Sequence, residues 1–215
     1  AWRAWLRARY ATDDSLRKAW NDPKASLAAV EVPSPASRHA APAGVFRDPK
    51  IEKPILDWSA FQQDAMADAV LTFAKAAREA SGGRKLVVFF YGYLFEFGSV
   101  PEGPAISGHY ALRKVLDSPD VDVLCSPISY FDRGLGQSAP SMTAAESVAL
   151  AGKMWLNEDD TRTYLAPTST FPGAEAGADS LEDTNRMLLR NVGQEATRNF
   201  ATWWMDLGAT GWFND

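Results

Sequence analysis

The stretch of this chain best suited to chemistry is LAGKMWLNEDDTRT, residues 150–163, where an apolar run passes directly into three consecutive carboxylates. Side chains alternate along a strand, so Glu158 shares one face with Met154 and Leu156. If that face fills the interior of a barrel, Glu158 is the first polar side chain above the packed layers. A carboxylate in that position can serve as a nucleophile, whereas the alternative is an acidic turn, partly in solvent and paired with Arg162.

Polar and aromatic side chains follow all four of the apolar runs that we predict as strands. They are Tyr91, Tyr93 and Glu96 after the first run, Ser129, Tyr130, Asp132 and Arg133 after the second, Asn157, Glu158, Asp159, Asp160 and Arg162 after the third, and Trp203, Trp204 and Asp206 after the fourth. The carboxyl ends of parallel strands meet at one edge, which carries the active site in α/β barrels. A single acidic strand end would indicate only a solvent loop, but four together favour a functional site.

The apolar runs alternate with amphipathic segments. Four predicted helix–strand pairs fill the chain from residue 57 onward: 57–83 with 85–93, 108–120 with 121–130, 142–152 with 153–159, and 179–200 with 201–207. In the first helix, apolar residues recur every four positions, which predicts a buried stripe made of Phe61, Ala65, Ala69, Phe73 and Ala77. Two further helices are predicted within 1–22, followed by a loop rich in Pro, Ala and Ser over 23–56. This alternation predicts an α/β fold with a parallel sheet and right-handed crossovers.

The composition narrows the class of protein. The chain has 215 residues, a net charge of -5 and 46% hydrophobic residues, and no cluster of Lys and Arg indicates a nucleic-acid surface. No segment is long and apolar enough for a membrane span and no leader peptide is visible, which slightly favours the cytoplasm, although the compartment stays open. One Cys and two His give no metal-ligand spacing, and no glycine-rich nucleotide motif follows a strand, so no cofactor is expected. Eight Trp mildly favour a carbohydrate ligand, although core packing explains any single one better.

Five segments of the chain carry a resemblance to a known family. They are WRAWLRARYATDDSLRKAWND (2–22), LDWSAFQQDAMADAV (56–70), VDVLCSPISYFD (121–132), KMWLNEDD (153–160) and ATWWMDLGATGWF (201–213). In this order they resemble the catalytic barrel of the clan A retaining glycosidases, most closely the β-galactosidases of glycoside hydrolase family 42. The resemblance implies a (β/α)8 TIM barrel in which residues 1–215 form a partial catalytic domain, supplying roughly strands 5–8 and their helices.

The same resemblance implies a reaction. Glu158 matches the position of the family's nucleophile, which implies hydrolysis of a β-glycosidic bond with retention through a covalent glycosyl-enzyme. Retention needs a second carboxyl group about 5 to 5.5 Å from the first, and the family places it after the fourth strand. We therefore expect that group, with the rest of the barrel, in an upstream segment or a partner chain. Otherwise the general acid would be Glu96, Asp132 or Asp206.

The resemblance also implies a glycoside, oligosaccharide or polysaccharide substrate, with a β-galactoside as the first candidate. The residues expected to contact the sugar or to hold the nucleophile are Tyr91, Glu96, Tyr130, Asp160, Arg162, Trp204 and Asp206. An arginine near Glu158, such as Arg162, would keep that carboxylate ionised. A homo-oligomer is left open.

Three alternatives remain at this point. The first is a carbohydrate-binding barrel without catalysis, which would keep the aromatic edge and lack one carboxylate. The second is an unrelated barrel enzyme such as a metal-dependent hydrolase, which the scarcity of His disfavours. The third is a structural fragment that pairs with a partner chain, because half a barrel would leave a sheet edge and half of its core exposed.

Overall fold

The computed structural model describes residues 1–40, 46–95, 107–166 and 177–206. The chain opens with α1 (Trp2–Tyr10) and α2 (Asp13–Trp20). The hydroxyl of Thr12 caps α2 by accepting from Ser15 N at 3.2 Å. The helix ends at Asn21, which adopts the left-handed conformation one position before the Asp22–Pro23 pair.

The segment that we expected to be loop over 23–56 contains two helical stretches. α3 (Pro35–His39) is a short helix capped by Ser34, and α4 (Lys53–Ala80) begins four residues earlier than Asp57. Pro54 lies in the first turn of α4, where a missing backbone N–H costs no helical hydrogen bond. The loop expectation therefore needs correction at both places.

Four strands form one parallel sheet in the order β1-β2-β3-β4. They are β1 (Val88–Phe90), β2 (Val123–Pro127), β3 (Met154–Asp159) and β4 (Ala201–Trp204). The connecting helices are α5 (Leu112–Leu116), α6 (Ala145–Leu150) and α7 (Leu181–Arg198). This is the α/β architecture with a parallel sheet that the alternation predicted.

One face of the sheet packs against helices. Tyr91, Leu124 and Trp155 lie on this face and form a core with Ala67 and Ala74 of α4 and with apolar residues of α5 and α6. Trp155 is fully buried. The helix layer thus covers the face on which Asn157 and Asp159 also lie, because these residues alternate with Glu158 along β3.

The opposite face is apolar and much less covered. Val88 and Phe90 are each 45% exposed, Met154 is 42% exposed and Trp203 is 36% exposed. The parallel register aligns Val88 with Val123 and Val123 with Met154, so these side chains share one face. We call this surface, made of Val88, Phe90, Met154 and Trp203, the inner face of the sheet.

A second cluster joins the N-terminal helices to α4. Trp2, Trp5, Trp58 and Phe61 contact one another, with ring centroids 5.2 to 6.2 Å apart. Beside them, buried Asp57 accepts hydrogen bonds from Tyr10, Trp20 and Lys53. These tryptophans, like Trp155, serve packing, so the high Trp content by itself does not indicate a carbohydrate site.

Candidate active site

Glu158 lies near the carboxyl end of β3 and is only 4% exposed. Its Cα is level with Pro127 of β2 and with Trp203 of β4, so it shares the inner face with Trp203. The backbone carbonyl of Glu158 accepts a hydrogen bond from Ile128 N at 3.3 Å. The carboxylate therefore lies at the carboxyl edge of the sheet, where polar residues from neighbouring strands meet.

The surroundings of Glu158 oppose its ionisation. The pKa of Glu158 is raised from 4.5 to about 7, chiefly by burial and then by the charge of Asp160, while Arg133 acts against both. The arginine that favours the ionised form is thus Arg133 rather than Arg162. Its effect is smaller than that of burial, so our expectation that a nearby arginine keeps Glu158 ionised is corrected.

Arg133 is the best-anchored cation at this edge. Its side chain is fully buried and forms an ion pair with Asp160. Its Nε donates to the carbonyl oxygen of Ser129 at 2.7 Å, and Nη2 donates to that of Ile128. Its guanidinium also lies over the ring of Tyr130, 4.5 Å from the ring centroid. These contacts tie the loop after β2 to the residue that follows β3.

Two tyrosines complete the site. Burial raises the pKa of Tyr93, and the charges of Glu158 and Asp160 raise it further. Burial likewise raises the pKa of Tyr130, with Asp160 as the next cause. Both hydroxyls therefore remain protonated near two carboxylates and can donate hydrogen bonds. We call Tyr93, Tyr130, Arg133, Glu158 and Asp160 the Glu158 cluster.

His109 fixes the position of Tyr93. Its Nδ1 accepts from Tyr93 N at 3.1 Å, and its ring contacts that of Tyr93 edge to face with centroids 5.3 Å apart. Burial lowers the pKa of His109 to about 4, so its imidazole is neutral near pH 7 and can accept this bond.

Tyr91 does not join the cluster, contrary to our expectation that it contacts the sugar. Its side chain is fully buried in the core under the helices. Its hydroxyl donates to the carbonyl oxygen of Gly108 at 3.0 Å, and its ring stacks on His109. Tyr93, two residues later, lies near Glu158 instead.

The two adjacent tryptophans of β4 face opposite ways, and the one on the Glu158 face is not the one that we expected. Trp204 is paired with Asp159, on the helix side, whereas Trp203 is paired with Glu158. Trp203 contacts Phe90 edge to face, with centroids 6.4 Å apart, and lies near Cys125, where it lowers the pKa of the thiol. Burial raises the pKa of this thiol to about 11, so it stays protonated near pH 7.

The other expected residues have mixed positions. Asp160 belongs to the cluster through Arg133. Asp206 is half-buried just beyond β4, and the neighbouring Met205 N donates to the carbonyl oxygen of Asp159 at 3.0 Å. Arg162 is half-buried, and its carbonyl oxygen accepts from Ala178 N at 3.3 Å. Asp132 accepts from the hydroxyl of Ser138. Glu96 lies outside the described residues.

Sequence reasoning named Tyr93, Arg133 and Trp203 among the residues at the strand ends but assigned none of them a role in the site. All three follow or end a strand, so their position was visible. Two facts were not. The regular strand β1 ends at Phe90, which breaks the alternation before Tyr93, and the burial of Arg133 depends on a partner 27 positions away.

Neither a metal site nor a membrane span is found in the described part of the chain. Within 1–40, 46–95, 107–166 and 177–206, no group of three His, Cys, Asp or Glu side chains could hold a metal ion. In the same ranges, no helix has the length and apolar character that crossing a membrane requires.

Comparison with known proteins gives information on the fold. No protein-family model matches the chain, and no curated protein matches it. Among solved structures, it is similar to the catalytic domain of a β-amylase from Paenibacillus polymyxa, with a TM-score of 0.57 and 14% identity. The match covers 94% of this chain and 46% of that one, so the chain spans about half the length of the β-amylase domain. The fold of this chain is therefore similar to part of that β-amylase catalytic domain.

Proposed function

We propose that this protein is a glycoside hydrolase and that Glu158 is its nucleophile. The observation that carries the proposal is a buried carboxylate at the carboxyl edge of a parallel sheet, beside a second carboxylate, a buried arginine and two tyrosines. Ligand-binding groups of parallel α/β folds collect at this edge. The similarity in fold to part of a β-amylase catalytic domain is consistent with this class of enzyme.

In the proposed reaction, the ionised carboxylate of Glu158 attacks the anomeric carbon of the sugar. The bond between that carbon and the glycosidic oxygen breaks, and a general acid gives its proton to the departing oxygen. Water then attacks the anomeric carbon, the same acid–base group accepts the proton, and the bond to Glu158 breaks. The sugar is released with retained configuration.

The other members of the cluster have supporting roles in this proposal. The hydroxyls of Tyr93 and Tyr130 donate hydrogen bonds to the sugar or to Glu158. Arg133 offsets the two negative charges, since it lowers the pKa of Glu158. The ring of Trp203, on the Glu158 face of β4, offers a flat apolar surface for a sugar ring.

The raised pKa of Glu158 favours a second role for the same residue. A carboxyl group that is protonated up to about pH 7 is suited to act as a general acid. In that case the attacking group would be a water molecule or another carboxylate. The two roles predict opposite dependence of the first chemical step on pH, so they can be separated experimentally.

We also propose that the chain supplies roughly strands 5–8 of a closed (β/α)8 barrel. The support is the apolar inner face, together with the match to about half of the β-amylase domain. An upstream segment, or a partner chain, would cover this face and bring the general acid or base to Glu158.

A β-galactoside is the first candidate substrate through the resemblance to glycoside hydrolase family 42. A carbohydrate-binding barrel that has lost catalysis is the alternative, since Trp203 and the two tyrosines would serve binding alone.

Covalent trapping tests the proposed function. The full-length protein is incubated with 2,4-dinitrophenyl 2-deoxy-2-fluoro glycosides of several sugars, beginning with galactose, and the labelled peptide is identified by mass spectrometry. We expect a label on Glu158 that Glu158→Gln abolishes and Glu182→Gln, on the surface of α7, leaves unchanged. A label on another carboxylate would contradict the assignment of the nucleophile. Binding of sugar with no label from any probe would favour the non-catalytic barrel.

A further inference from the structure

A buried polar network lies behind Glu158, on the side of β3 that faces α7. Asn157 and Asp159, the neighbours of Glu158 in β3, are each 1% exposed, and Asn191 and Glu195 of α7 are each 3% exposed. Buried polar groups of this kind are costly unless they are paired, so their contacts fix the local geometry closely.

The first half of the network holds Asn157. Its Nδ2 donates to Glu195 Oε1 at 2.8 Å, and its Oδ1 accepts from Trp155 Nε1 at 3.1 Å. Asn157 is therefore fixed between the fully buried indole of Trp155 and the helix. Burial raises the pKa of Glu195 to about 7, and either protonation state leaves an oxygen that can accept from Asn157.

The second half holds Asp159. Asn191 Nδ2 donates to Asp159 Oδ2 at 2.9 Å and to the hydroxyl of Thr161 at 3.0 Å. The Oδ1 of Asn191 accepts from Arg190 Nη2 at 2.9 Å. Only an amide can donate on one side and accept on the other in this way, because a carboxylate lacks the donors and an aliphatic side chain lacks both.

The same helix also holds the loop that carries Arg133. Arg190 Nη2 donates to the carbonyl oxygen of Arg133 at 2.8 Å, and Nη1 donates to that of Gly134 at 2.6 Å. α7 thereby contacts the backbone of the cation and both neighbours of the carboxylate in the Glu158 cluster.

We infer that Asn191 and Glu195 are positioning residues, which hold Glu158 at its working position by fixing Asn157 and Asp159 on either side of it. They lie four positions apart, and so on one side of α7. This inference rests on the proposed function, because it assigns these residues a role in the reaction of Glu158. Neither residue shares the inner face with Glu158, so neither would contact the sugar.

Two nearly isosteric substitutions separate the effect of the hydrogen bonds from the effect of side-chain volume. Asn191→Asp keeps the shape but replaces the donor to Asp159 with an oxygen, which places two carboxylates in contact. Glu195→Gln keeps the acceptor for Asn157. We therefore expect Asn191→Asp to displace the end of β3 and Glu195→Gln to preserve it. Met187→Ala is the matched control, since Met187 is buried on the same helix at 1% exposure and lies outside this network.

The experiment measures how fast 2,4-dinitrophenyl 2-deoxy-2-fluoro-β-galactoside labels the full-length protein at several probe concentrations. These data give two quantities for each variant, the maximal labelling rate and the probe concentration that gives half of that rate. Displacement of a reacting group by about 1 Å can cost about 100-fold in rate. For Asn191→Asp we expect a maximal rate about 10- to 100-fold lower with a similar half-saturating concentration. Glu195→Gln should stay within about threefold of wild type, whereas Glu195→Ala should follow Asn191→Asp. Met187→Ala should lower the Tm without this loss.

Hydrogen exchange of residues 154–163 provides a readout that does not depend on catalysis. Each variant is measured at the same number of degrees below its own Tm. Under this condition, positioning predicts faster exchange in this segment for Asn191→Asp and Glu195→Ala, but not for Met187→Ala. If neither substitution changes exchange or labelling more than Met187→Ala does, the inference is overturned. If the wild type takes no label from a fluoro-glycoside of any sugar tested, the proposed function fails, and the exchange data still decide whether α7 fixes the Glu158 segment.

Discussion

Glu158 combines a role that needs a negative charge with surroundings that oppose one. Burial and Asp160 raise its pKa to about 7, and Arg133 counters them only in part. As a nucleophile it must be ionised, so labelling by the fluoro-glycoside should rise with pH through about 7 and level off above it. Below that pH the rate should fall about tenfold per unit. The measurement is the rate of labelling between pH 5 and 9. A rate that falls with rising pH would contradict the assignment of Glu158 as the nucleophile.

Arg133 and Asp160 shift that profile in opposite directions. Removing the cation with Arg133→Gln should move the apparent pKa of Glu158 upward, because Arg133 lowers it. Removing the neighbouring charge with Asp160→Asn should move it downward, because Asp160 raises it. Each substitution breaks a buried ion pair and should cost about 3 to 5 kcal/mol of stability.

Denaturant unfolding and the pH profile of labelling measure both effects. Arg186→Gln is the control. Arg186 lies on α7, where it forms an ion pair with Glu182, and its side chain is 61% exposed. This substitution should change stability by less than about 0.5 kcal/mol and leave the profile in place. Shifts of the apparent pKa in the same direction for Arg133→Gln and Asp160→Asn would contradict the assigned charges.

At the scale of elements, hydrophobic pattern predicted the four helix–strand pairs but not their limits. The apolar run 85–93 suggested a long strand, yet β1 spans only Val88–Phe90. Pattern alone could not distinguish the strand from the irregular apolar residues on either side of it. The stripe from Phe61 to Phe73 was also misleading, because Phe73 is 68% exposed whereas Ala67 and Ala74 are buried. The face of a helix rich in Ala is weakly marked in sequence.

For the candidate site too, the sequence predicted some features and not others. The position of the candidate site at the carboxyl edge followed from the strands, and the face of β3 on which Glu158 lies followed from alternation, whereas its assignment as nucleophile came from the resemblance. The choice between Trp203 and Trp204 did not follow in this way, because it depends on the register between β3 and β4. That register is set by contacts between distant parts of the chain, which local sequence does not contain.

Gly92 links β1 to the site through a close approach to Trp155. A Cβ at Gly92 would lie 2.5 Å from Trp155 Cη2 and 3.0 Å from Ser126 Cβ. Gly92→Ala should therefore displace the end of β1, with a loss of about 1 to 3 kcal/mol in unfolding free energy. It should also lower labelling of Glu158, because Tyr93 is the next residue. Gly193→Ala is the control, since a Cβ there meets no heavy atom within 4 Å. Equal stability of both variants would show that the approach is not tight.

Stability of the whole molecule should respond to the proton on Glu195. Its pKa in the folded protein is raised from 4.5 to about 7, so between these values the folded state holds a proton that the unfolded state has lost. This contribution is present below about pH 4.5 and is lost as pH rises through about 7. His109, whose pKa is lowered to about 4, acts in the opposite direction over part of the same range.

Comparison with Glu195→Gln separates the contribution of Glu195 to the pH dependence of stability from that of His109. The variant cannot lose a proton, so between pH 4.5 and 8 it should gain up to about 3 kcal/mol relative to wild type. Denaturant unfolding of both proteins at several pH values measures this difference. A difference that is independent of pH would show that Glu195 ionises normally in the folded protein.

The inner face determines how the isolated 215-residue chain should behave. Val88, Phe90, Met154 and Trp203 are apolar and partly exposed on one face of a sheet whose first and last strands, β1 and β4, lie at its edges. Such a surface associates in water, because apolar area and unpaired strand edges both favour contact with another chain. We therefore expect the isolated chain to self-associate, and the full-length protein, in which the proposed upstream half covers this face, to do so much less.

Substitutions on the two sides of the molecule test whether the inner face is responsible. Phe90→Ser with Met154→Gln makes the inner face more polar and should reduce self-association of the isolated chain. Phe73→Ser, on the outer side of α4, removes an exposed aromatic ring of the same kind and should not. Light scattering measures association, and circular dichroism verifies that each variant remains folded. A monodisperse wild-type monomer, or an equal effect of both changes, would be evidence against an incomplete barrel, because a closed fold has no reason to associate through this face.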